Sequence, residues 1–109
     1  AAEQGDAGAQ ASLGLSYEFG RGVEQDYVQA AAWYRRAAEQ NNASGCYCLG
    51  DLYEQGKGVT QSIEEAKRYY TIAANAGNTS AAEALERLAG SKGKTFLGKL
   101  LKGGGLFSK

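Results

Sequence analysis

Alanines, leucines and aromatic residues recur along this chain at helical spacing, in blocks separated by short glycine-containing stretches. Ala9, Leu13 and Tyr17 lie four apart and share one face of a helix, with Gly14 beside them; Leu49, Gly50 and Tyr53 repeat the arrangement. Ala30, Trp33, Tyr34, Ala37 and Ala38 form a second apolar stripe, repeated by Ala66, Tyr69, Tyr70, Ala73 and Ala74. Asp6, Asn42 and Asn78 precede alanine-rich segments and can accept hydrogen bonds from first-turn amides, so they predict helix starts. Helices are expected over about 7–19, 43–55 and 79–89, with Gly20 and Gly56 as left-handed caps at the ends of the first two. A second set starts near Asp26 and Ser62, where Ser62-x-x-Glu65 reads as a capping box.

These blocks are one unit repeated. A shift of 36 residues, without a gap, places Leu13-Gly14 on Leu49-Gly50 and Tyr17-Glu18 on Tyr53-Glu54. The same shift places Gly20-Arg21-Gly22-Val23 on Gly56-Lys57-Gly58-Val59 and Trp33-Tyr34 on Tyr69-Tyr70. Ala1-Ala2-Glu3-Gln4 matches Ala37-Ala38-Glu39-Gln40, and Ala81 and Leu85 continue Ala9 and Leu13. The expected organisation is the end of one repeat (1–5), full repeats over about 6–41 and 42–77, and the first helix of a further repeat (78–90). Residues 91–109 form a lysine-rich tail outside the repeat. With no methionine, and an opening on the end of a repeat, the chain reads as a fragment or processed product.

The pattern Ala9-x-x-x-Leu13-Gly14-x-x-Tyr17-x-x-Gly20-x-Gly22-Val23, followed by Ala30-x-x-Trp33-Tyr34-x-x-Ala37-Ala38, resembles the Sel-one-like repeat, a relative of the tetratricopeptide repeat. Its second copy runs from Gly45 to Val59 and from Ala66 to Ala74. The resemblance implies an all-α, right-handed solenoid of antiparallel helix-turn-helix repeats that acts as a protein-interaction scaffold or adaptor. It also implies that first helices line the concave face. Partner contacts are then expected from Ala11, Leu15, Glu18 and Phe19, from Tyr47, Asp51, Glu54 and Gln55, and from Glu83 and Arg87. Leu15, Asp51 and Arg87 occupy one repeat position and differ completely, as a ligand-specific surface or an unconstrained solvated one would. Leucine, glycine and tyrosine of the first helices, and the paired aromatics of the second, read as core. Repeats of this kind are widespread in bacteria, which suggests a periplasmic or exported setting, with the cytoplasm as alternative.

Charge refines the choice of partner. Residues 1–90 carry seven Lys/Arg against twelve Asp/Glu, a net of −5, while residues 91–109 carry five lysines and no acid, a net of +5. Glu18, Asp51, Glu54 and Glu83 would make the groove mildly acidic and favour a basic or mixed peptide over nucleic acid. In the tail, Phe96, Leu97, Leu100 and Leu101 fall at helical spacing among Lys94, Lys99 and Lys102. Two readings compete there: a short helix capping the open end of the solenoid, which we favour, or a basic segment touching anionic lipid or a partner. No stretch approaches the roughly 20 apolar residues that span a membrane. Ala1 onwards also lacks the basic-then-apolar pattern of a signal peptide, and prior removal of one would leave the compartment open.

Catalytic chemistry finds little support. There is no histidine, hence no Ser–His or Cys–His pair within the chain and no imidazole metal ligand. No catalytic residue, metal site, cofactor or small-molecule substrate is expected. Most of the carboxylates read as lying on solvated helix faces, and the loops Gly20-Arg21-Gly22 and Gly56-Lys57-Gly58 lack P-loop spacing. Cys46 and Cys48, two apart on a helix, diverge by about 200° and cannot bond to each other. The cysteine-rich branch of the resembled family, linked to penicillin binding and β-lactamase activity, pairs cysteines eight apart. Cys46 sits at the second such position, but Ala38 stands at the first, and Ala2 with Gln10 and Ala74 with Ala82 also lack cysteine. That enzymatic alternative is therefore disfavoured; a structural spacer within a longer array is the other. Asn42-Ala43-Ser44 and Asn78-Thr79-Ser80 fit the glycosylation sequon, but helix capping explains both asparagines.

Overall fold

A computed structural model describes residues 5–89, which form five helices: α1 (Ala7–Phe19), α2 (Tyr27–Glu39), α3 (Ala43–Gln55), α4 (Ile63–Asn75) and α5 (Thr79–Leu88). The lysine-rich tail, and both readings of it, lie outside the described residues.

Each start is fixed by its expected cap. Asp6 accepts from the Ala9 amide at 3.0 Å, Asn42 from Gly45 at 2.8 Å and Asn78 from Ala81 at 2.8 Å. Asp26 accepts from both Val28 and Gln29. The Ser62 box is only half made. Ser62 Oγ accepts from the Glu65 amide at 3.1 Å, but the Ser62 amide donates to the Tyr53 carbonyl at 2.9 Å. Glu65 therefore turns to Arg68 at 3.3 Å, one turn along the helix.

Left-handed residues recur with the repeat. Gly20 and Gly56 end α1 and α3 with φ of 69° and 70°, and Gly22 and Gly58 follow at 77° and 76°. The turn out of α2 has the same requirement, yet Asn41 meets it at φ 59°, where its counterparts are Gly5 and Gly77. Asparagine is among the few residues with side chains that visit this region readily.

Every helix packs on its sequence neighbours, and α1 also touches α3, so the chain builds an all-α solenoid of stacked hairpins. Its core joins Ala30, Ala31 and Tyr34 of α2, Cys46, Leu49 and Leu52 of α3, Ala66, Tyr70 and Ala73 of α4, and Ala81 and Ala84 of α5. Gly14 and Gly50 let the aromatics of the paired helix approach. A Cβ at Gly14 would lie 2.5 Å from the Tyr34 ring, and one at Gly50 would lie 2.9 Å from that of Tyr70. Trp33 departs from the expected core role. Tyr69, its repeat counterpart, is buried and stacks on Tyr53 at 5.8 Å, whereas Trp33 is half-buried beneath the Arg36 guanidinium at 4.6 Å.

Candidate functional site

Two tyrosine hydroxyls enter the interior of the solenoid and must find acceptors there, because an unpaired buried hydroxyl is costly. The first helices supply them. Tyr34 donates to Glu18 at 2.6 Å and Tyr70 donates to Glu54 at 2.8 Å, each across 16 residues of sequence. Burial raises both phenols above their ordinary pKa, and the glutamate acceptors add to the shift. Glu18 is only 8% exposed, so it is not one of the solvated carboxylates that the composition suggests.

The two copies differ in what else holds the glutamate. Arg87 of α5 reaches Glu54 with both guanidinium nitrogens, Nη1 on Oε2 and Nη2 on Oε1, a two-pronged ion pair. Its guanidinium holds the Glu54 carboxyl below the usual carboxylate range; Tyr70 adds to this and partial burial opposes it. A carboxylate depressed in the folded state contributes stability above its unfolded pKa of about 4.3, and that stability is lost as pH falls through the folded value. Acidification from pH 5 to below 4 should therefore destabilise the wild type more steeply than Arg87→Gln, with matching slopes above pH 6. Urea unfolding followed by circular dichroism at each pH reads this directly; parallel curves throughout would remove the ion pair from the account.

The ten residues expected at the partner face are sorted by this geometry. Ala11 and Glu18 are buried, and the Tyr34 hydroxyl holds one oxygen of the Glu18 carboxylate. Leu15 is half-buried against the core. Tyr47 is half-buried with its ring 5.7 Å from that of Tyr70, and Asp51 accepts from the exposed Gln55 amide at 2.8 Å. Phe19 is 56% exposed at the end of α1, with the Arg21 guanidinium 5.4 Å from its ring centre. Tyr47, Glu83 and Arg87 come together with Ser80 and Ala84 around an open depression of about 350 Å³ between α3 and α5. Phe19 and Gln55 lie away from it, at the far ends of their helices. Sequence reasoning missed Ser80 and Ala84, as well as the Glu–Tyr bonds, although the repeated 16-residue spacing of Glu18–Tyr34 and Glu54–Tyr70 was a usable signal. A larger hollow of about 630 Å³ lies along the loop between α1 and α2, lined by Tyr17, Val23, Glu24, Gln25, Asp26 and Gln29.

The thiols show no activation. Cys46 is fully buried with Sγ 3.9 Å from the Ala38 carbonyl, and desolvation pushes it above the ordinary thiol value. Cys48 is pushed up to about 11, first by burial. Neither is in a disulfide. Native protein should resist iodoacetamide at pH 8 for as long as it stays folded, then take up two equivalents in denaturant, as mass spectrometry would show; rapid native labelling of Cys48 would contradict this environment. Among the described residues, no group of three or more Cys, Asp or Glu side chains is placed to hold a metal ion. No described helix is long and apolar enough to cross a membrane.

Hairpins of equal length, stacked at a 36-residue period around shared small and aromatic positions, define a helical-repeat protein. The chain belongs to the Sel1 repeat family: residues 7–42 and 43–78 each match the profile described as Sel1 repeat. Among solved structures it is similar to a Sel1 repeat protein from Oxalobacter formigenes, with 42% identity over 79% of this chain and 65% of that one, at a TM-score of 0.77. It is also similar to c5321, a protective antigen of uropathogenic Escherichia coli with an SLR fold, with 38% identity over 80% of this chain and 19% of that one, at 0.78. Helicobacter pylori cysteine rich protein B aligns at 32% identity over 72% of this chain and 59% of that one, at 0.69. The chain thus covers less than two thirds of each of these structures. A comparison with curated proteins returns no match.

Proposed function

We propose that this chain is a non-catalytic protein-interaction scaffold that presents the face made by α1, α3 and α5 to a partner protein or peptide. The family is one of helical-repeat scaffolds that generally serve protein interaction, which supports the reading. The observation that carries it to this face is the division of labour on the first helices. Their inward residues, Glu18 and Glu54, are committed to the tyrosine hydroxyls of the frame. Between and beyond them, Leu15, Phe19, Tyr47, Asp51, Gln55, Glu83 and Arg87 are exposed or half-exposed, and they vary from repeat to repeat on an unvarying scaffold. An enzymatic reading has no activated thiol and no cysteine at position 38 to support it.

Affinity capture from the host lysate tests the proposal, comparing wild type with Asp51→Lys/Glu83→Lys. Glu54 is left intact because its replacement would disturb Tyr70 and Arg87. Lys67→Glu, an exposed change on α4, is the control for the opposite helices. A protein held by the wild type and the control but lost by the double variant supports the face. Capture that survives the double variant would overturn it.

A further inference from the structure

The internal repeat provides its own comparison. A shift of 36 residues carries Glu18, Tyr34 and Asp51 onto Glu54, Tyr70 and Arg87. In the second copy, the tyrosine hydroxyl takes one oxygen of the glutamate and an arginine grips both. In the first copy, Tyr34 takes Oε1 of Glu18 in the same way, but the residue at the arginine position is Asp51. No cation among the described residues pairs with Glu18, although Glu18 is more than nine-tenths buried. Among the described residues, Asp51 accepts from the Gln55 amide alone. The repeat position that carries a guanidinium for its glutamate in one copy thus carries a second carboxylate in the other. Both act on one neighbour: the charges of Glu18 and Asp51 add to the burial that raises the Cys48 thiol, while the Tyr34 hydroxyl opposes them.

We propose that the niche between Glu18 and Asp51 receives an arginine side chain from a partner polypeptide, seated on Glu18 as Arg87 is seated on Glu54. Arginine fits better than lysine because the carboxylate offers two oxygens to a planar fork, which a single ammonium cannot bridge in the same way. Asp51 supplies a second negative wall and makes the niche a place for a cation from outside the repeat frame. This rests on the reading of the α1–α3–α5 face as the interaction surface, and it names the group that surface recognises.

The test is an amide NMR titration of the full chain with N-acetylarginine N-methylamide, with the lysine and citrulline analogues in parallel. The expected result is saturable movement of the Glu18, Cys48 and Asp51 resonances, half-complete at about 1 mM or above as befits one desolvated ion pair. Lysine should act more weakly and citrulline should leave these resonances unmoved. Asp51→Arg supplies the guanidinium in cis, so it should raise Tm by a few degrees and abolish the response, while Asp51→Asn should only weaken it. A citrulline response equal to that of arginine, a stronger lysine response, or an Asp51→Arg protein that is less stable and still responds would each overturn the niche. An unresponsive wild type whose partner capture still depends on Asp51 and Glu83 would overturn the arginine assignment alone. Capture indifferent to both residues would overturn the face beneath it.

Discussion

Gly58→Ala should lower the unfolding free energy by more than about 3 kcal/mol, while Gly22→Ala, the same substitution one repeat earlier, should cost only about 1–2 kcal/mol. Both glycines hold left-handed backbones, at φ 76° and 77°, so the conformational penalty of a side chain is common to the pair. Their surroundings are not. A Cβ at Gly58 would stand 2.3 Å from the Tyr27 carbonyl oxygen and 2.5 Å from its carbon, atoms of backbone that cannot rotate aside. At Gly22, nothing lies within 4 Å. The loop after α3 therefore seats on the first residue of α2, with Lys57 5.3 Å from the centre of the Tyr27 ring, and this contact joins one repeat to the next. In a solenoid whose stability is a sum of unit and interface contributions, such a change acts on an interface. Urea unfolding of the two variants, followed by circular dichroism, isolates the interface as the difference between them. Equal losses would mean that the loop is not a joint.

Periodic features were legible in the sequence because every one of them is written at least twice. The helix starts at Asp6, Asn42 and Asn78 and the glycine ends at Gly20 and Gly56 follow local rules that need no knowledge of neighbours. The core followed as well, since Leu49, Tyr34 and Tyr70 sit on stripes whose period is that of a helix. What escaped depends on contacts across helices. Glu18 and Glu54 have the polarity of surface residues, and only the packing of α2 on α1 and of α4 on α3 brings a buried hydroxyl to each. Ser62-x-x-Glu65 satisfies the capping-box pattern, yet the tertiary bond from the Ser62 amide to Tyr53 takes the donor that the glutamate would have held. Trp33 and Tyr69 occupy one position in the repeat, but only Tyr69 stacks on the tyrosine of the preceding helix. The expected partner face was read from position alone, and position could not separate Asp51, which is half-exposed, from Glu18, which is engaged beneath it.

The Glu–Tyr bonds make the second large effect predictable as a comparison. Tyr34→Phe should cost about 1.5–3 kcal/mol, the range for a buried hydrogen bond to a charged partner, because Glu18 stays enclosed and loses its partner on Oε1. Tyr70→Phe removes the corresponding bond, but Arg87 keeps both oxygens of Glu54 occupied, so the loss should be nearer to about 0.5–1.5 kcal/mol. Ring packing is the same type of contact in both cases, since each tyrosine is fully buried against the glycine of the preceding helix. The difference therefore reports what the arginine contributes and what the first repeat lacks. Adding Glu18→Leu to Tyr34→Phe should recover most of the lost stability, since removing both partners leaves no stranded charge. Chemical unfolding of the three variants measures all of this at neutral pH. If the two single substitutions cost the same, Arg87 does not compensate at Glu54, and the contrast between the repeats is one of sequence without energetic consequence.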